Sequence, residues 1–242
     1  MTCLAFCGLR GGTGTTSTVA ATGAALLSIG AKVLLIDLSP ENLLRLHFGV
    51  PYVDRHGWGR SWLDGHTWHE AICDIQPGLG LLPFGGLTGA EHKNLPDTFQ
   101  AFLPAWRDHL STLADCYDMV LIDTPAGERN VWPLILECGL RVITMEADPA
   151  CFILLTSLPR HTYHHCLITR YDPHSRLQRD IRLSWQGQLG DVLLEQVIHR
   201  DESMAEALGQ KQTVGSYCPD SLAARDASNL ASWCLTHAGA HP

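Results

Sequence analysis

Short, unbroken apolar runs alternate along this chain with longer amphipathic or alanine-rich stretches. Thr2–Gly8, Lys32–Ile36 (KVLLI), Leu79–Phe84 and Asp118–Ile122 (DMVLI) read as buried strands, followed by Leu140–Met145, Cys166–Thr169 and Glu195–Ile198. Val19–Ile29, Pro96–Leu113, Ala150–Leu158, His174–Leu189, Glu202–Leu208 and Ser221–Leu235 read as helices, and Gly57–Cys73 as short helical pieces. Ser39-Pro40 predicts a further helix start, with Ser as N-cap and Pro in the first turn. Apolar strands alternating with helices imply βαβ units with right-handed crossovers. The expected fold is α/β, in three layers, with a mainly parallel sheet flanked by helices on both faces. Neither a repeat nor a low-complexity tract interrupts the pattern, so a single domain over residues 1–242 is expected.

Ligands of such sheets bind at the carboxyl ends of the strands, which singles out three segments. The first is Arg10-Gly11-Gly12-Thr13-Gly14-Thr15-Thr16-Ser17, between a strand and a helix. Its glycines let the backbone curl so that successive N–H groups converge beside a helix N-terminus. That arrangement holds phosphate without a side-chain cation. Thr16 or Ser17 offers a hydroxyl to Mg²⁺. The loop departs from GxxxxGK[ST], with Leu9 at the first glycine place and Thr15 at the lysine place. The other two segments begin at Asp37 and Asp123, each closing an apolar run. A lone aspartate there is usually a turn residue. Two at the same predicted sheet edge as a glycine loop suit Mg²⁺ held between carboxylates and phosphates.

Composition narrows the partners. Of 242 residues, 45% are hydrophobic, enough for a packed core, and the formal net charge is −8. Only three of the 17 cationic residues are lysines: Lys32, Lys93 and Lys211. The acidic balance argues against sequence-independent nucleic-acid binding. No run approaches eighteen apolar residues, and the N-terminus carries no basic leader, so neither a membrane span nor a signal peptide is expected. Nine scattered cysteines, without a CxxC pair, suit reduced thiols and a cytoplasmic location.

The loop, the two strand-end acids and VLIDTPAG at Val120–Gly127 resemble the MinD/ParA class of P-loop ATPases, whose loop reads KGGxGK[ST]. LITRYDP (Leu167–Pro173) and VIHRDESMAEALGQKQTVG (Val197–Gly215) stand where that class has its late strands and adenine-side loops. Within the class, IDLSPENLLRLHFGV, RHGWGRSWLDG, LLPFGGL, VIHRDESMAEAL and LASWCL resemble the BcsQ (YhjQ) family of cellulose-biosynthesis proteins. The resemblance implies ATP and Mg²⁺ as ligands and a homodimer around the nucleotide. It further implies a role beside the cellulose synthase complex at the inner membrane, reached through partners, and leaves open whether that place is the cell pole. The small companion protein BcsR and the cyclic-di-GMP-binding BcsE are the partners it implies.

Carried over residue by residue, the resemblance gives Arg10 the place of a lysine that reaches the partner subunit's phosphates. Thr15 takes the place of the lysine that contacts phosphates within one subunit. Gly11, Gly12, Thr13, Gly14 and Ser17 complete the cofactor loop. Thr16, Asp37 and Asp123 match the metal site, Asp37 with a catalytic role. Ser39 replaces a second acid tied to water activation, and Arg170, His199 and Asp201 fall on the adenine side. A loop without its inner lysine loses charge stabilisation of phosphoryl transfer more than it loses binding. The expected protein therefore binds ATP–Mg²⁺ with slow or absent hydrolysis, and acts as a scaffold or localisation component in cellulose secretion. The alternative is an active ParA/MinD-like ATPase that positions cargo; a metallocluster carrier ranks third.

Other signals have plainer readings. His161, His164, His165 and Cys166 lack a second ligand pair at zinc spacing. Cys3 and Cys7 share a strand face and are expected in the core. Trp58, Trp62 and Trp68 are expected mainly in the core, with partner contact as the alternative. The last helix lacks the cationic face of a membrane-surface helix, and the tail His237–Pro242 is expected to fray.

Overall fold

The computed structural model describes residues 1–113, 115–127, 131–136, 138–160 and 163–237. Its strands are β1 (Thr2–Gly8), β2 (Val33–Asp37), β3 (Cys73–Gln76), β4 (Leu79–Leu82), β5 (Met119–Thr124), β6 (Leu140–Met145), β7 (His165–Tyr171) and β8 (Leu193–His199). They form one sheet in the order β3-β4-β2-β5-β1-β6-β7-β8, parallel throughout except for the antiparallel edge pair β3–β4. The helices are α1 (Thr15–Ser28), α2 (Trp58–Leu63), α3 (Gly89–Lys93), α4 (Leu95–Leu113), α5 (Trp132–Ile135), α6 (Pro149–Thr156), α7 (Arg176–Leu189), α8 (Glu202–Gly209), α9 (Val214–Tyr217) and α10 (Leu222–His237).

Alternate strand residues enter two cores, because successive side chains leave a strand on opposite faces. Leu4, Phe6, Val33, Leu35, Leu121 and Val142 pack under α1 and α10. Cys3, Ala5, Cys7, Ile36, Ile122 and Ile143 pack under an aromatic layer on the other face. In that layer Trp58 stacks on Phe102, with ring centroids 4.5 Å apart and planes at 22°, and meets Phe84 edge-on at 4.8 Å. Trp68 packs on Phe102 and Trp106. Trp58 and Trp68 are thus core residues, as is the Cys3–Cys7 pair; Trp62 is only partly buried against the same cluster. Helix α1 lies close enough to the sheet that a Cβ at Gly23 would stand 2.6 Å from the Leu35 side chain, so glycine sets that contact.

One expected helix is absent. After β2 the chain turns at residues 39–43 and then forms a 3-10 turn over Leu44–Phe48. The cause is the Asp37 carboxylate, which accepts the Ser39 N–H at 2.8 Å and the Leu44 N–H at 3.2 Å and winds the segment around itself. The Ser39 hydroxyl donates to Glu41 instead of capping a helix, and Asn42 closes the turn at φ 55. The edge strand β3 was not expected; its alternating half-exposed pattern belongs to an edge, not to a doubly covered strand. Among the described residues no helix is long and apolar enough to cross a membrane. His161, residues 128–130 of the segment after Asp123, and the tail beyond His237 lie outside the described residues.

Candidate functional site

The ends of β1, β2 and β5 bring the predicted phosphate and metal residues to one sheet edge. β5 is the common neighbour: Asp123 is in register with Asp37 of β2 and with Phe6 of β1. The loop from Arg10 to Thr16 follows β1 directly. Gly12 (φ 84) and Gly14 (φ 77) take left-handed backbone that other residues adopt only under strain, and Gly14 stands at the N-cap of α1. Nothing lies within 4 Å of a Cβ built on Gly11 or Gly14, so the loop leaves open space beside its amides.

Asp37 and Asp123 are 0% and 1% exposed. Burial, then the charge of Asp123, holds the Asp37 carboxyl well above the usual carboxylate range, against the pull of the Ser39 and Leu44 amides. Burial lifts Asp123 to about 7; the nearby Thr16 hydroxyl favours its charged form and Glu41 opposes it. Among the described residues neither carboxylate oxygen of Asp123 has a hydrogen-bond partner within normal bonding distance. A buried carboxylate with both oxygens free, beside a second carboxylate and a threonine hydroxyl, is a donor set suited to Mg²⁺, a hard cation bound by oxygen. Thr16, Asp37 and Asp123 therefore fit the metal. Among the described residues no cluster of three or more His, Cys, Asp or Glu suggests a second metal site.

Arg10 sits at the loop but is engaged within its own chain. Its guanidinium donates to Glu146 at 3.1 Å and to Asp148, while Arg170 meets the other oxygen of Glu146 at 3.2 Å. Thr15 also departs from the pattern of its lysine counterpart. Its side chain is buried and turned back against Thr144, with 2.7 Å between the hydroxyls. Ser17 faces the buried His47, with its hydroxyl 3.4 Å from Nε2; burial lowers that imidazole to about 4, so it stays neutral.

The adenine-side candidates also converge. Arg170, His199 and Asp201 line one cavity of about 240 Å³ with Gly14, Ser17, Thr18 and Thr169, directly beside the start of α1. Their side chains differ in availability. Asp201 caps α8, accepting the Ser203 and Ala223 amides, and these bonds outweigh its burial to hold it below the usual carboxylate range. His199 is tied through Nδ1 to Asp226 at 2.9 Å, and the same Asp226 oxygen accepts the His199 backbone N–H at 2.8 Å. Arg170 adopts φ 52, which turns the chain at the cavity wall.

Asp226, Thr144, Thr169 and Glu146 belong to this site and were not anticipated. For Thr144 and Thr169 the signal was available, since each follows apolar residues, Val142-Ile143 and Leu167-Ile168, near the end of a strand-like run. Asp226 and Glu146 carried none, because only the tertiary fold sets them against His199 and Arg10.

The family model described as cellulose biosynthesis protein BcsQ matches residues 1–235. A relative carrying that name, from Salmonella typhi, is 41% identical over 240 residues, covering 98% of this chain and 95% of its own. Among solved structures, the cell division ATPase MinD of Pyrococcus furiosus superposes with a TM-score of 0.77 at 24% identity, covering 97% of this chain and 98% of its own. The septum site-determining protein MinD of Pyrococcus horikoshii OT3, solved with Mg-ADP, gives 0.73 at 22% identity, over 99% and 98%. The fold is that of the MinD/ParA P-loop proteins.

Proposed function

Because the chain belongs to the BcsQ family of cellulose biosynthesis proteins, we propose that it binds ATP–Mg²⁺ at the β1 loop and works as a nucleotide-held homodimer with slow or absent hydrolysis. The observation that carries this reading is the Asp123 carboxylate, buried and, among the described residues, without a hydrogen-bond partner beside an open glycine loop. The amides of Gly11–Thr16 and the N-terminus of α1 would hold the phosphates, and Thr16, Asp37 and Asp123 the metal. The metal would neutralise phosphate charge and the two carboxylates together. The base would occupy the cavity lined by Arg170 and His199.

Slow turnover rests on what faces the phosphates. No lysine lies in residues 10–17, and Thr15 is turned away. Ser39 presents a hydroxyl already given to Glu41, where a water-orienting carboxylate would be needed. A binding protein of this kind uses the nucleotide as a cohesive element or slow switch. In the cell the dimer would serve as a scaffold or localisation component of cellulose secretion, on the cytoplasmic side of the inner membrane. It would act there through protein partners such as BcsR and BcsE.

Solution mass and titration calorimetry test the reading together. The expected result is saturable ATP binding that needs Mg²⁺ and a doubling of the 26.6 kDa mass, with little phosphate release. A monomer that binds no nucleotide overturns it. Turnover at the rate of a partner-stimulated motor overturns the slow-hydrolysis part alone.

A further inference from the structure

Three threonine hydroxyls form a connected group behind the glycine loop and a fourth joins it through the Thr13 carbonyl; two of the four come from strands far away in sequence. Thr15 Oγ1 lies 2.7 Å from Thr144 Oγ1 on β6 and 3.3 Å from Thr13 Oγ1. Thr13 Oγ1 is also 3.3 Å from Thr144 Oγ1 and donates to the Arg10 carbonyl at 3.2 Å. Thr169 Oγ1 on β7 donates to the Thr13 carbonyl at 2.6 Å and lies 3.3 Å from the Met145 carbonyl. None of the four is more than 9% exposed. Gly8 makes the room: a Cβ there would stand 2.9 Å from Thr15 Oγ1 and 3.1 Å from Thr13 Oγ1.

We propose that Thr144 and Thr169 are positioning residues for the phosphate loop, and that Thr15 serves with them as a brace instead of as a phosphate contact. The proposal rests on the nucleotide reading above. Glycine-rich backbone is intrinsically loose, and a loop that must order on binding loses affinity for its ligand. Thr144 and Thr169 tie the loop at three places, the Thr13 hydroxyl, the Thr13 carbonyl and the Thr15 hydroxyl, to two strands of the rigid sheet, and Thr13 passes the tie on to the Arg10 carbonyl. The amides of residues 11–16 are thereby held converging before any phosphate arrives. The group is also closed on itself, since each hydroxyl has a neighbour inside the cluster or a backbone carbonyl. Such a buried network specifies one geometry as long as all its members are present.

The same geometry changes the meaning of position 15. A lysine there would start from a pocket bounded by Thr13, Thr144 and Gly8. It would remove the shortest contact of Thr144, the 2.7 Å one to the Thr15 hydroxyl, and leave the longer ones to Thr13 and the Cys7 carbonyl.

Two measurements on the full-length protein test this. Hydrogen exchange of the ligand-free protein reads the loop directly, and calorimetry with ATP, ADP and adenosine in the presence of Mg²⁺ separates the phosphate part of the affinity from the base part. In Thr144→Val, of nearly the same shape, the amides of residues 11–16 should exchange about threefold to tenfold faster, and ATP and ADP should bind weaker by about the same factor. Adenosine binding should not move, and Thr144→Ser should restore both. Thr169→Val should act in the same direction. Thr15→Val combined with Thr144→Val should be no worse than the stronger single change, and Thr15→Lys should weaken ATP binding.

Unchanged loop exchange and unchanged ATP affinity in a folded Thr144→Val overturn the brace. So does an equal loss for adenosine, or a gain of affinity in Thr15→Lys. If Thr144→Val does not fold, Thr169→Val is read by loop exchange alone, because Thr169 also lines the cavity assigned to the base; unchanged exchange in a folded Thr169→Val then overturns the brace. A wild-type protein that binds neither ATP nor ADP overturns the nucleotide reading, while loop exchange still decides the brace.

Discussion

Asp37 and Asp123 stand side by side on β2 and β5, in register and both buried, and among the described residues only the Asp37 carboxylate has hydrogen-bond partners. In the ligand-free protein the two carboxylates can ionise only by placing like charges together away from water.

That pair sets a pH dependence. Its folded carboxyls hold their protons above the unfolded value of 3.8, Asp123 up to about 7. Between those limits the folded state binds more protons than the unfolded state. The pair's contribution to stability is therefore present below about pH 4 and is lost as pH rises toward 7. Mg²⁺ with nucleotide should reverse the trend by supplying the missing countercharge, so ATP–Mg²⁺ affinity should rise with pH through about 7. Asp123→Asn should melt higher than the wild type in ligand-free solution at pH 8, by roughly 2–4 °C. It should lose the extra stabilisation that Mg²⁺ gives. Thermal melts over pH 5–8, with and without ATP–Mg²⁺, check both signs.

Trp58 links the aromatic layer to this pair. Its Nε1–H donates to the Asp37 carbonyl at 2.7 Å from a fully buried position. Trp58→Phe keeps much of the packing and leaves that carbonyl short of a partner, for a loss of about 1 kcal/mol. Trp58→Ala also empties the stack on Phe102 and should cost about 3–5 kcal/mol. Urea titration separates the two. The smaller variant should also bind ATP–Mg²⁺ less well than its stability loss alone would give.

Gly14 isolates backbone from packing. Nothing lies within 4 Å of a Cβ placed there, so Gly14→Ala meets only the strain of φ 77, about 1–2 kcal/mol. The methyl group would intrude on the phosphate cradle, and nucleotide affinity should fall by about tenfold or more. A variant that melts near the wild type yet no longer takes up ATP is the expected outcome; full affinity would move the phosphate site elsewhere.

Asp226 holds His199 from α10. Removing it as Asp226→Ala leaves both the His199 backbone N–H and its ring Nδ1 without their acceptor, at about 1–3 kcal/mol. With the ring free to turn at the cavity wall, adenosine and ATP affinities should fall together. This is the opposite of the pattern expected for Thr144→Val.

Much of this architecture was legible in the chain because strand ends carry punctuation. KVLLI running into Asp37 and DMVLI running into Asp123 mark both the strands and the edge where they finish, and the glycine spacing marks the loop. Local rules failed where a side chain outbid them. Ser39-Pro40 satisfies every condition for a helix start, but Asp37, two residues earlier, takes the N–H groups of Ser39 and Leu44. The threonine group was illegible for a different reason. Thr15 faces Thr144 across 129 positions of sequence, and no spacing rule connects residues that meet only when β1 and β6 pair.

That pairing also dictates when the site can come into being. β1 is made first, yet it lies between β5 and β6, so both its neighbours emerge from the ribosome more than a hundred residues later. At about 5–20 residues per second the opening strand waits for several seconds with its apolar faces unpaired. Synthesis that stops before Met145 yields a chain with the whole loop sequence and no cradle. Nucleotide uptake would then report that translation has passed that point, and β1 is the strand of this sheet that waits longest for its neighbours.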